Sequence, residues 1–135
     1  MKTVVLDASA LLAMFFGESG MDQVRSLFHK AADADTMLFI TAVNWAEVLY
    51  KVEQKQGRDG LATAKRFERT MPLEVAVLDR ELAESAAALK SDHDLGLADA
   101  FAPALAKAKG KNSEFVTADR EFKPLEKEIK INWLK

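Results

Sequence analysis

Residues 1–18, MKTVVLDASALLAMFFGE, decide the fold. Lys2–Leu6 is short, apolar and partly β-branched, the composition of a buried strand, and Asp7 ends it. Ala8–Phe16 follows at once as a helix, which Glu18–Ser19–Gly20 breaks. The apolar run invites comparison with a cleavable leader. Asp7 interrupts it, however, and no small-residue cleavage motif stands out, so a buried strand leading into a helix is the better reading. In α/β proteins, ligands bind just beyond the carboxyl ends of such strands.

Outward from this segment the pattern repeats. Short strands are expected at Met37–Thr41, Leu73–Leu78 and Ser113–Thr117, with a last edge strand over Ile129–Trp133. Between them, Met21–Ala32 places Val24, Leu27, Phe28 and Ala31 on one helical face. A long helix runs from Thr41 or Ala42 to Gln56, where Gly57 stops it, and Asp59 caps another through Thr70. Asp79 caps Arg80–Lys90, Leu97–Lys109 is helical up to Gly110, and Arg120–Lys127 is a short helix or turn containing Pro124. Strands alternating with helices predict an α/β fold with a short, mainly parallel sheet. No linker, repeat or low-complexity segment divides residues 1–135, so one domain is expected.

The composition narrows the function classes. The chain is 49% hydrophobic and 30% charged, which suits a globular protein rather than a disordered one. It has no cysteine, which excludes disulfides, thiolate zinc sites and cysteine nucleophiles and fits a reducing cytoplasm. Two histidines argue against a histidine-rich metal site. No stretch approaches the length of a membrane span. A net charge of −2 argues against holding nucleic acid by bulk charge alone. It leaves room for a metal-dependent nuclease, because bound cations reverse the local sign of an acidic site.

Four acidic residues, far apart in sequence, sit where a fold can gather them: Asp7, Glu47, Asp99 and Asp119. Each has a plainer reading. Asp7 is equally suited to capping the next helix, with Ser9 as an ordinary first-turn serine rather than a group that holds the carboxylate. Glu47 on its own reads as half of a surface pair with Lys51, although the apolar set around it (Val43, Trp45, Ala46, Val48, Leu49, Val52) wraps most of the helix. Asn44, one turn earlier, is placed to line the same pocket, but the favoured reading is a solvated helix residue. Asp99 sits in a first turn, where the helix dipole favours an anion. Pro103 cannot donate to the Asp99 carbonyl, so that carbonyl needs another partner or the helix bends. Asp119 suits a turn cap, and Glu121 a surface position. Thr117 is either a support for a carboxylate or simply a good strand residue. Taken together, the four carboxylates repel one another unless cations occupy the space between them. Hard ions such as Mg²⁺ or Mn²⁺ prefer such oxygen ligands, and metal sites of this kind cleave phosphodiesters. Lys51, Lys55, Arg58, Lys65, Arg66 and Arg69 concentrate in the middle helices; such a row suits tracking a phosphate backbone, and by default it reads as a solvated face.

In order, VVLDASALLA, VNWAEVLYKV, LGLADAFAPALA and FVTADREF resemble the PIN-domain ribonucleases, and within them the VapC-type toxins of type II toxin–antitoxin pairs. The resemblance covers nearly the whole chain. It implies a three-layer PIN-like fold and a metal-dependent endoribonuclease using Mg²⁺ or Mn²⁺ and leaving a 5′-phosphate. The resemblance implies metal-binding, catalytic carboxylates at Asp7, Glu47, Asp99 and Asp119, supported by Ser9 and Thr117. It also implies an RNA substrate, a VapB-type antitoxin partner and a homodimer; the lack of a long apolar stretch adds the expectation of no membrane partner. The antitoxin groove falls on the first helices, at residues such as Leu12, Phe15 and Phe16, which suit a core equally well. Pro103 departs from the family pattern.

Three other readings compete. A PIN-like module that binds RNA or protein without cutting would be favoured by loss of carboxylates, and all four are retained. A maturation nuclease without a toxin role shares the same residues. A phosphatase with an aspartyl nucleophile also begins with a strand ending in Asp. It wants a second acid two residues later, where this chain has Ser9, and a phosphate-cradling glycine loop, which is missing.

Overall fold

The structure is a computed structural model that describes residues 1–135. β1 (Lys2–Leu6) is the central strand of a five-stranded sheet with order β3-β2-β1-β4-β5. The others are β2 (Thr36–Thr41), β3 (Leu73–Ala76), β4 (Ser113–Thr117) and β5 (Ile131–Trp133). Every pairing is parallel, so the sheet expected as mainly parallel is wholly so.

The side-chain alternation of a strand explains the layers. Val4, Leu6, Leu38, Ile40 and Val116 pack on one face against α1 (Ala8–Phe15), α2 (Met21–Ala32) and α3 (Ala42–Thr70). Val5, Phe39 and Phe115 pack on the other against α4 (Arg80–Asp92) and α5 (Phe101–Ala108). The strands read as continuous apolar runs because both faces are covered. The result is the three-layer α/β architecture expected. No helix is long and apolar enough to cross a membrane.

α3 is two helical limbs joined at Gly57, whose φ of 72° and ψ of −166° suit glycine alone. The bend turns the second limb back onto the first helices. Phe67 there meets Phe15 at 5.1 Å and Phe28 at 5.2 Å, both edge-on, the geometry that aromatic quadrupoles favour.

Three boundaries differ from the sequence reading. β3 stops at Ala76, which pairs with Thr41, the last residue of β2; Val77 and Leu78 have no strand beside them and are exposed. β5 starts at Ile131 rather than Ile129, because the Ile129 amide bonds back to the Leu125 carbonyl and closes the preceding 3-10 turns. The helix expected over Leu97–Lys109 is a 3-10 turn at Ala98–Ala100 followed by α5. Pro103 offers no amide to the Asp99 carbonyl, and the amides of Asp99 and Ala100 bond three residues back instead. Asp99 therefore sits in a tight turn ahead of the helix proper.

Candidate active site

β2 lies on one side of β1 and β4 on the other, so the chain reverses its direction of progress across the sheet between β1 and β4. Such a switch point opens a crevice at the carboxyl ends of the two strands. Asp7 follows β1 there, and Asp119 follows β4.

Asp7 is buried and densely bonded. It caps α1, with Oδ1 accepting from the Ala10 amide at 3.1 Å, so the capping reading holds. The same oxygen accepts from Ser9 Oγ at 2.6 Å, and Oδ2 accepts from Thr117 Oγ1 at 2.5 Å. Ser9 Oγ also accepts from the Ala118 amide at 3.0 Å, and Thr117 Oγ1 from the Asp119 amide at 3.0 Å. Both hydroxyls thus tie the Asp7 carboxylate to the end of β4 and leave its rotamer little freedom. Asp119 turns its Oδ1 to the Glu121 amide at 3.0 Å, capping the following 3-10 turns.

The expected residues meet. Asp7, Glu47, Asp99 and Asp119 line one pocket of about 150 Å³, together with Ser9, Asn44 and Lys51. Glu121 stays outside and exposed, as the sequence suggested. Asn44 does not follow its sequence reading: it is buried at 4% exposure, because Thr41 at the helix start holds its Oδ1 at 3.1 Å. Lys51 brings a cation into the pocket, with Nζ 2.8 Å from Glu47 Oε2. The plain reading of Glu47 as half of an i,i+4 pair is therefore correct, and the pair belongs to the pocket. Sequence reasoning read Lys51 as a surface partner of Glu47 and favoured a solvated position for Asn44. For Asn44 the signal was the Thr41–Asn44 spacing, a side-chain cap that turns it inward.

The charges strain against one another. Burial pushes the Asp7 carboxyl from 3.8 to about 6, against the three hydrogen bonds that lower it, with Asp119 adding to the rise. Burial also raises Asp99, helped by the charges of Asp119 and Glu47 and opposed by Lys51. As the side chains lie, no three acidic or histidine groups are close enough to share one ion. Ser9, Thr117 and the Ala10 amide hold Asp7, Lys51 holds Glu47, and the Glu121 amide holds Asp119. The donor set fits a hard divalent cation nonetheless: it is all oxygen, and two of its members are raised by burial and mutual repulsion that a cation would relieve.

The family model of the PIN domain matches residues 4–128, nearly the whole chain. The chain belongs to the PIN domain family. Solved structures share this PIN domain's fold. A chain of VapBC2 from Rickettsia felis, solved with a DNA fragment of its promoter, superposes with a TM-score of 0.79 at 14% identity, covering 98% of this chain and 99% of that one. A chain of DNA-bound VapBC from Salmonella typhimurium gives 0.76 at 19% identity, covering 98% of both. VapC20 from Mycobacterium tuberculosis, a toxin that cleaves the sarcin–ricin loop, gives 0.70 at 17% identity over 90% of this chain and 93% of that one. At these identities the likeness is one of fold. No curated protein matches the sequence.

The PIN domain carries a second concavity away from the acids. A largely apolar groove of about 480 Å³ runs between α1, α2 and the second limb of α3, lined by Met14, Phe15, Phe28, Phe67 and Met71, with Arg25 among its polar lining. Of the residues that sequence reasoning assigned to such a groove, Phe15 lines it, Leu12 is in the core, and Phe16 lies beneath the Lys55 ammonium at 4.3 Å.

Proposed function

We propose that residues 1–135 act as a single PIN domain that hydrolyses RNA phosphodiester bonds with Mg²⁺ or Mn²⁺, as the toxin half of a toxin–antitoxin pair. One observation carries the reading. Acidic residues from four separate parts of the chain line one pocket at the point where the sheet order reverses. Membership of the PIN family and a fold shared with VapC20 support it.

Asp7, Glu47, Asp99 and Asp119 would hold the cation. When bound it supplies charge neutralisation and Lewis acidity at the phosphate. Ser9 and Thr117 keep the Asp7 carboxylate aimed and supply its hydrogen bonds, so its position does not depend on the substrate. Burial keeps water away from Asp7 and strengthens every charge interaction it makes.

The groove on α1, α2 and α3 suits an apolar segment of a VapB-type antitoxin, and the neighbours solved as VapBC complexes support that partner. The homodimer implied by the resemblance and the cytoplasmic location suggested by the lack of cysteine belong to the same proposal.

The test is cleavage of total cellular RNA by purified, antitoxin-free protein with Mg²⁺, with Mn²⁺ and with EDTA. Discrete fragments should form with either metal and vanish with EDTA and in Asp7→Asn. Full cutting by a clean Asp7→Asn preparation would overturn the assignment. A folded wild type that binds RNA but never cuts it would favour the binding-module reading.

A further inference from the structure

Lys51 is the member of the pocket that four metal-seeking carboxylates do not explain. It lies one helical turn beyond Glu47 on α3, with Nζ 2.8 Å from Glu47 Oε2. On an open helix face such a pair contributes little to stability and does little else. This pair is not on an open face, because both side chains line the cavity that contains Asp7, Asp99 and Asp119. Lys51 is the only cationic side chain in that lining. A lysine side chain is ordinarily an ammonium at neutral pH. An ammonium carries three N–H donors, and Glu47 is its one ion-pair partner here. With the side chain 39% exposed, donors remain for a ligand that enters the pocket.

A phosphodiester is an anion, and its transition state gathers negative charge on the non-bridging oxygens. A cation held by the carboxylates answers their charge first. The substrate's own charge still needs a partner, and the pocket lining offers one. We propose that Lys51 binds the scissile phosphate, its ammonium meeting a non-bridging phosphoryl oxygen and offsetting the charge that grows there. The proposal rests on the nuclease reading above. In the hydrolysis, a water oxygen bonds to phosphorus and the P–O3′ bond breaks. One product keeps the 5′-phosphate, and the 3′ oxygen takes up a proton as the water loses one. Lys51 keeps its proton throughout and acts as a fixed positive charge.

The test compares wild type, Lys51→Met and Lys51→Arg as full chains. Three quantities are read: affinity for a short RNA oligonucleotide with Ca²⁺ (the RNA checked to remain uncut), kcat and KM with Mg²⁺, and Mn²⁺ affinity by calorimetry. Lys51→Met should weaken RNA binding about tenfold and lower kcat about a hundredfold, the scale of losing one charge-stabilising donor. Lys51→Arg should recover at least about a tenth of the wild-type kcat, because it retains the charge. Mn²⁺ should bind Lys51→Met as tightly as wild type or more tightly, since a like charge is gone.

Weaker Mn²⁺ binding in Lys51→Met would make Lys51 a support for Glu47 and overturn the proposal. So would Lys51→Met within about threefold of wild type in both RNA affinity and kcat, while the nuclease reading stood. If wild type bound RNA without cutting it, and Lys51→Met lost that binding, the phosphate contact would survive and the hydrolytic reading would fall. A wild type that neither binds nor cuts would overturn both.

Discussion

At the scale of the residue, Asp7 does two jobs. It caps α1 through the Ala10 amide and lines the acidic pocket, and its burial sets a cost on the second job. Its carboxyl is raised from 3.8 to about 6 by burial in the folded chain. Between those values the folded protein holds a proton that the unfolded chain has released. The resulting stability is fully present below 3.8 and is lost as pH rises through about 6. The whole effect is about 3 kcal/mol at most. Metal-free Asp7→Asn should therefore match or exceed wild type in urea denaturation at pH 7. It should also lack the part of the stability slope between pH 4 and pH 6 that this carboxyl contributes in wild type. A variant less stable than wild type at pH 7, with the slope unchanged, would show that Asp7 is not strained by burial.

The site was largely legible at this scale because strand ends announce themselves. Asp7 and Asp119 each follow an apolar run, and both stand at the crevice. Asn44 was harder to read. Its inward turn depends on Thr41 holding its side chain, a contact between a strand end and a helix start that apolar periodicity does not register. Lys51 was visible as a partner of Glu47. That the pair lies inside a pocket depends on Asp99 and Asp119 approaching from elements more than forty residues away in sequence, which local spacing cannot reveal.

At the scale of the element, the helix breaks carry the geometry. Pro103 shortens α5 and leaves Asp99 in a 3-10 turn, while Gly96 sits so close that an added Cβ would stand 3.2 Å from Asp99 Oδ2. The proline's lack of an amide proton was readable in the sequence; the 3-10 turn that precedes α5 was not among the consequences drawn from it. Gly57 was readable as a stop. What it does beyond stopping, turning the second limb of α3 so that Phe67 reaches Phe15 and Phe28, follows only from packing. A Cβ at Gly57 would meet no atom within 4 Å, so the cost of Gly57→Ala is backbone strain alone, about 1–3 kcal/mol. Thermal melts of Gly57→Ala should fall accordingly. An unchanged melting temperature would mean that the limb relaxes freely and that the bend is not specified at this residue.

At the scale of the molecule, the parallel sheet with reversed order creates one crevice, and the acids fill it. A chain of net charge −2 is a poor general binder of nucleic acid. Concentrating negative charge in one pocket makes sense when a cation inverts it, and the apolar groove of about 480 Å³ on the α1–α2–α3 layer stands apart from that chemistry. The most direct measurement is calorimetric titration of Mn²⁺ into the metal-free protein and into Asp7→Asn, Glu47→Gln, Asp99→Asn and Asp119→Asn. If the pocket is one divalent-cation site, wild type binds Mn²⁺ and every substitution weakens binding while the fold persists. Mn²⁺ binding that is absent in wild type, or indifferent to all four substitutions, would contradict it.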